Sequence, residues 1–100
     1  LLTELVQIFL VEAPRLLAEI EAARTRGEGA AVRRAAHTIK GGLRMFGADA
    51  ACDLAEEIEE IGRRGDLVSV AERLTRLREL YTDVEQILSE FLVEVSPSRV

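Results

Sequence analysis

The chain is poor in the residues from which most side-chain catalytic clusters are built. Its 100 residues include one histidine, one cysteine, one tyrosine and no tryptophan. A single cysteine excludes an internal disulfide and suits a reducing compartment. One histidine and one cysteine are too few for a usual transition-metal ligand set. No apolar run approaches the roughly 20 residues of a membrane span, and no signal-peptide pattern is present, so membrane insertion is not expected. Positive charge is also in deficit. Lysine and arginine number 13 against 18 acidic residues, a net charge of -5, which argues against nucleic acid as the main partner. Repeats, low-complexity segments and sustained period-two alternation are absent, so no strand is expected. Hydrophobic residues still make up 48% of the chain, enough for the core of one compact domain. Aromatics are only 4%, so that core is mostly Leu, Ile, Val and Ala. A first residue of Leu1 rather than Met is compatible with a chain cut from a longer protein.

What is present is helical periodicity. Leu2, Leu5, Phe9, Ala13, Leu16, Ile20 and Ala23 form a first stripe. Pro14 interrupts it, which predicts a kink, or a short capping helix with a second helix starting near Pro14. Thr25 to Gly29 reads as a turn, short enough to make the next helix antiparallel. That helix is expected over roughly Ala30 to Phe46, ended by Gly47. Asp49 is the expected N-cap of a third, acidic helix, with Ala51, Leu54, Ile58 and Ile61 inward. Most of its Asp53, Glu56, Glu57, Glu59 and Glu60 should form a solvated face. Cys52, on its flank, reads as a small packing residue. After a turn at 62–66, Ser69 and Glu72 suggest a capping box. The last helix carries a seam of Val70, Leu74, Leu77, Tyr81, Val84, Leu88 and Phe91, widened by Leu80 and Ile87. The expected architecture is all-α: an antiparallel four-helix bundle over residues 1–95 with an N-terminal helical extension, and a flexible tail at 96–100.

The second helix holds two oddities. Val32, Ala35, Ala36, Ile39, Leu43 and Phe46 share one face, and His37 points about 150° from its centre. Arg33, Lys40, Gly41 and Arg44 fall on the histidine's side, so the imidazole is expected to be exposed on a basic face of an acidic protein. Gly41 and Gly42 each cost about 0.5–1 kcal/mol relative to alanine inside a helix. The helical period runs through them, so they do not read as a helix end. Gly41, on the histidine face, would let another backbone or a phosphoryl group approach; Gly42, nearer the apolar stripe, reads as a close helix contact. An exposed imidazole can act as base, ligand or nucleophile. A phosphoryl-accepting nucleophile needs only exposure, nearby cations and room, and all three are expected here.

His37-Thr38-Ile39-Lys40-Gly41-Gly42, followed by Phe46-Gly47-Ala48, resembles the signature of histidine-containing phosphotransfer (HPt) domains. The Gly-Gly and Phe-Gly pairs are similar to the phosphotransfer domain of chemotaxis histidine kinases. The resemblance implies that His37 is phosphorylated, that Lys40 helps neutralise the phosphoryl group and that Gly41 leaves docking space. Either Glu56 or Glu59 could turn toward His37; the resemblance favours Glu59 as the hydrogen-bond partner that sets the ring's tautomer. Arg33 and Arg44 are candidates for binding a partner's acidic pocket, whereas Arg34 reads as an ordinary surface charge. The activity implied is that of a phosphoryl carrier without its own ATP site or cofactor. It would take the group from a response-regulator receiver aspartate and pass it to another receiver, which holds the Mg²⁺. Two alternatives stand beside it. One is the phosphoacceptor domain of a multidomain histidine kinase, cytoplasmic or part of a membrane-associated assembly, phosphorylated by a separate kinase catalytic domain. The other is an inactive interaction bundle.

Overall fold

Glycine marks where each of the first three helices stops. Gly27, Gly47 and Gly65 have φ of 73°, 71° and 83°, a left-handed conformation that strains any residue with a Cβ. After the first helix, the amides of Gly27 and Glu28 donate to the carbonyls of Arg24 and Ala23 at 3.1 and 2.9 Å. After the second, Gly47 and Ala48 donate to Arg44 and Leu43 at 3.1 and 2.9 Å. These paired bonds satisfy carbonyls that the ending helix would otherwise orphan.

The resulting order is α1 (Leu2–Arg26), α2 (Gly29–Met45), α3 (Asp49–Arg64) and α4 (Val70–Val95), with a short 3₁₀ turn at Leu67–Ser69 before α4. The coordinates are a computed structural model that describes residues 1–95; the expected tail at 96–100 lies outside the described residues. Short connections force each helix antiparallel to the one before. α1 packs on α2, α2 on α3, α3 on α4 and α4 back on α1, which closes a four-helix bundle. No described helix is long and apolar enough to cross a membrane.

The core follows the apolar stripes. Val6, Ile20, Val32, Ile39, Leu43, Ile58, Val70 and Leu77 are its largest fully buried side chains. Several local expectations are corrected. No separate helix starts at Pro14: α1 runs as one helix across it, with the proline on the exposed side. Ala48, not Asp49, is the N-cap of α3; Asp49 is the first helical residue and no side chain caps the end. Ser69 sits in the 3₁₀ turn and donates its hydroxyl to Asp66 at 2.9 Å, so it makes no capping box with Glu72. Leu2 and Ile87, read as inward, are 52% and 65% exposed.

Those two exposures share one cause. α2 and α3 have 17 and 16 residues, whereas α1 and α4 have 25 and 26. Phe9 of α1 lies against Gly42 of α2, and Leu88 of α4 lies beside the α2–α3 turn. Leu5 of α1 lies beside Met45 and Phe46, so the first turn of α1 before it and the residues of α4 after Leu88 project past that turn. The N-terminal extension is thus the first turn of α1 itself, paired with the last turns of α4.

At the opposite end, α2 and α3 come together backbone to backbone. A Cβ at Gly29 would sit 2.6 Å from the Gly62 carbonyl oxygen, and one at Gly62 would sit 2.9 Å from the Gly29 oxygen. This close crossing brings the middle of α3 against the middle of α2, where the histidine is.

Candidate functional site

His37 projects from the middle of α2 with 64% of its side chain exposed. The apolar stripe of α2 is buried on the other side: Val32, Ala36, Ile39 and Leu43 are all 0% exposed. One carboxylate from α3 reaches it. Glu59 Oε2 lies 2.8 Å from His37 Nδ1, a distance at which Nδ1–H donates to the carboxylate. In the neutral ring this leaves Nε2 as the nitrogen without a proton.

Among the described residues Glu59 is the one charged residue in the core, at 6% exposure. Its neighbours on α3, Glu56, Glu57 and Glu60, are exposed as the acidic face predicted. A buried carboxylate needs partners. Lys40 supplies one: its Nζ lies 2.7 Å from Glu59 Oε1 and 3.9 Å from Glu56 Oε1. The Lys40 side chain is only 12% exposed. Arg63, one turn further along α3, places a guanidinium nitrogen 3.9 Å from Glu59 Oε2 and a second 2.7 Å from Glu60. Burial alone would push the Glu59 pKa up, but the contacts with Lys40 and His37 outweigh it and hold the pKa below the ordinary carboxylate range.

The two glycines divide their labour. A Cβ at Gly41 would meet nothing within 4 Å, so the surface beside His37 is open. A Cβ at Gly42 would run into the Phe9 ring, 2.6 Å from its Cδ1 and closer still to Cε1. Phe9 is itself fixed against Phe46 and Tyr81, with ring centroids 5.3 and 6.0 Å apart. Gly42 thus exists for packing, and Gly41 has no packing reason to be a glycine.

The structure brings His37, Glu59 and Lys40 into one cluster, and places Glu56 at its exposed edge. Arg33 and Arg44 flank the histidine along α2 but do not touch it; among the described residues neither they nor Arg34 pair with a carboxylate. Lys40 is closer to Glu59 than the sequence alone suggested, and its ammonium is engaged by that carboxylate. Arg63 was not singled out from sequence. Its position four residues after Glu59 on the same helix was the available signal. Cys52 lies behind Lys40, its thiol 3.8 Å from the Lys40 carbonyl. Among the described residues no group of three or more His, Cys, Asp or Glu could hold a metal ion.

A four-helix bundle that presents one exposed imidazole, backed by a buried acid and bordered by an open glycine, has the layout of a histidine phosphotransfer domain. The family model for the Hpt domain matches residues 4–87, and the chain belongs to that family. Its function is phosphotransfer in two-component phosphorelay signalling. Its fold is similar to the crystal structure of histidine-containing phosphotransfer protein B (HptB) from Pseudomonas aeruginosa PAO1. The two are 24% identical, with a TM-score of 0.89 over 94% of this chain and 82% of that one. Comparison with curated proteins finds no match.

Proposed function

We propose that His37 is the phosphoacceptor, taking a phosphoryl group through Nε2 from a receiver-domain aspartate and passing it to another receiver. The supporting observation is the 2.8 Å contact of Nδ1 with a buried carboxylate beneath a ring that is 64% exposed. In the proposed step the Nε2 lone pair attacks phosphorus. The N–P bond forms as the P–O bond to the receiver's aspartate breaks, and that carboxylate departs. No proton needs to move. The ring becomes cationic with Nδ1–H still donated to Glu59, whose negative charge stabilises it. Lys40 acts through Glu59: it balances the buried charge and fixes the carboxylate's position. Its ammonium also stands one turn from the histidine, within reach of a phosphoryl oxygen if Glu59 shares it.

Gly41 supplies the open surface for the receiver's active-site loops, and the unpaired Arg33 and Arg44 supply positive charge for its acidic pocket. A hollow of about 210 Å³ beside Thr38, lined by Ile8, Phe9, Gly42 and Met45, offers apolar contact on the same side. The Mg²⁺ for transfer would be held by the receiver, and the carrier would need no ATP site. We place the exchange in the cytoplasm, which the single free thiol suits. The Gly-Gly and Phe-Gly pairs, which in sequence tilt toward a kinase phosphoacceptor, have structural grounds here: Gly42 packs on Phe9 and Gly47 ends α2.

Incubation with a labelled, phosphorylated receiver should transfer label to this chain as an acid-labile, base-stable phosphoramidate. His37→Gln should abolish uptake. Label retained by His37→Gln, or label stable to acid, would refute the assignment. A parallel incubation with ATP and a histidine-kinase catalytic domain tests the kinase-linked alternative.

A further inference from the structure

The projecting end of the bundle carries a second surface, separate from the histidine. α4 outruns the α2–α3 turn by the seven residues after Leu88, roughly 10 Å, and α1 by its first turn, before Leu5. On the side where α2 and α3 stop, the two projecting helices leave an apolar groove of about 200 Å³. Phe46 forms its floor, and Leu2, Val6, Ile87, Leu88 and Phe91 line it. An adjoining hollow of about 140 Å³ beside Gly47, Ala48 and Val84 shares Phe46, Ile87 and Leu88. The exposure of Leu2 and Ile87, 52% and 65%, arises here.

The side chains bordering this groove on α4 carry charge of one sign, and at the start of α1 the Leu1 ammonium lies 3.1 Å from Glu4. Residues 1–14 and 79–95 hold seven carboxylates and neither lysine nor arginine. On α4, Asp83, Glu90 and Glu94 fall within about 60° of Ile87 around the helix and so border the groove. All three are exposed, and among the described residues none is paired with a cation. Carboxylates elsewhere on the surface commonly are: Glu21, Glu28, Glu57 and Glu60 each have an arginine partner.

We propose that this groove docks a basic amphipathic helix of a partner protein, its apolar stripe against Phe46, Ile87 and Phe91 and its lysines or arginines over Asp83, Glu90 and Glu94. An apolar groove between two helices accepts the stripe of a third. Long basic side chains can lie along the rim while their charges reach the acids. The same acids disfavour other occupants. A second copy of this chain would bring two acidic borders together, and an anionic membrane surface would be repelled. Phosphoryl exchange takes place elsewhere: His37 stands nine residues up α2 from Phe46, roughly 14 Å along the helix. The groove can therefore hold the carrier to an assembly while the imidazole stays free.

The test uses the 100-residue chain and a fluorescent helical peptide of about 18 residues, five turns, with leucines spaced every three and four residues and lysines between. Saturable binding is expected, weakening with added salt. Ile87→Gln, at an exposed position, should weaken it about tenfold, or 1.4 kcal/mol. Glu90→Lys should weaken it severalfold, whereas Asp53→Lys, an equal change of charge on α3, should not. Equal binding of a peptide with glutamates in place of the lysines would overturn the proposal. So would binding unaffected by Ile87→Gln. A dimer in sedimentation that Ile87→Gln disperses would assign the groove to a second copy and likewise overturn it.

Discussion

Replacing Gly41 and Gly42 by alanine, one at a time, should move stability in opposite directions. Both lie inside α2, where alanine is preferred to glycine by roughly 0.5–1 kcal/mol. At Gly41 nothing opposes that gain, since a Cβ there meets nothing within 4 Å. Gly41→Ala should therefore raise the melting temperature by about 4–8 °C per kcal/mol for a domain of this size. At Gly42 the new methyl collides with Phe9. The ring cannot simply swing aside, because Phe9 is 7% exposed and its ring contacts Phe46 and Tyr81. Overpacking of a core by one methyl costs about 1–3 kcal/mol, so the net effect is a loss of about 1 kcal/mol. The origin of the loss can be isolated. Phe9→Leu makes room, and in the double variant Gly42→Ala should become neutral or favourable, a coupling of about 1 kcal/mol or more in a double-mutant cycle. Urea denaturation of the four proteins measures it. Phosphoryl uptake should run the other way. Gly41→Ala, though more stable, should accept phosphate more slowly from a receiver, because the methyl stands in the docking surface. Equal stability changes at the two positions, or no coupling to Phe9, would refute the packing argument. Undiminished transfer by Gly41→Ala would refute the docking role.

Other expectations follow from the buried acid and the buried phenol. Glu59→Gln can still accept from Nδ1–H but cannot balance a cationic ring, so phosphoryl transfer should slow by about 100- to 1000-fold with His37 still present. Glu59→Ala also strands Lys40 and should cost about 1–3 kcal/mol of stability in denaturant titration. Because the Glu59 pKa is held below its ordinary 4.5, the unfolded chain takes up this proton before the folded one does as pH falls. Its contribution should thus be complete above about pH 4.5 and disappear below it; Glu59→Gln should flatten that part of the stability profile. The reverse sign applies to Tyr81, whose pKa burial pushes up to about 12 from 10.0. Its contribution holds below pH 10 and is lost from there toward pH 12, as tyrosinate absorbance and melting should show together. Tyr81→Phe should remove that alkaline loss. At neutral pH it should be neutral or up to about 1 kcal/mol stabilising, since the buried hydroxyl has no hydrogen-bond partner among the described residues.

Much of this molecule could be read along the chain because helices report their own faces. The spacing of Val32, Ala36, Ile39 and Leu43 turned His37 outward before any neighbour was known, and the structure has those four fully buried. The helix stops at Gly27, Gly47 and Gly65 were equally local, since a left-handed residue is a property of one position. The close packing at Gly42 and the open space at Gly41 followed from which face each occupies. Capping was less legible. Asp49 and Ser69 both have the right chemistry for a cap, but cap geometry depends on one or two backbone angles that neighbouring turns decide.

The rotation of one helix against another lay beyond what periodicity shows. That Glu59 rather than Glu56 reaches His37 depends on the rotation of α3 against α2, and the backbone contact of Gly29 with Gly62 helps to set it. Lys40 and Arg63 joined the cluster only once that rotation placed Glu59 in the core. The apolar periodicity of α4 likewise marked Ile87 as inward, yet among the described residues no helix covers it, because α2 and α3 are shorter than α1 and α4. A stripe shows which side of a helix avoids water. Only the lengths and packing of the other helices decide whether that side is covered.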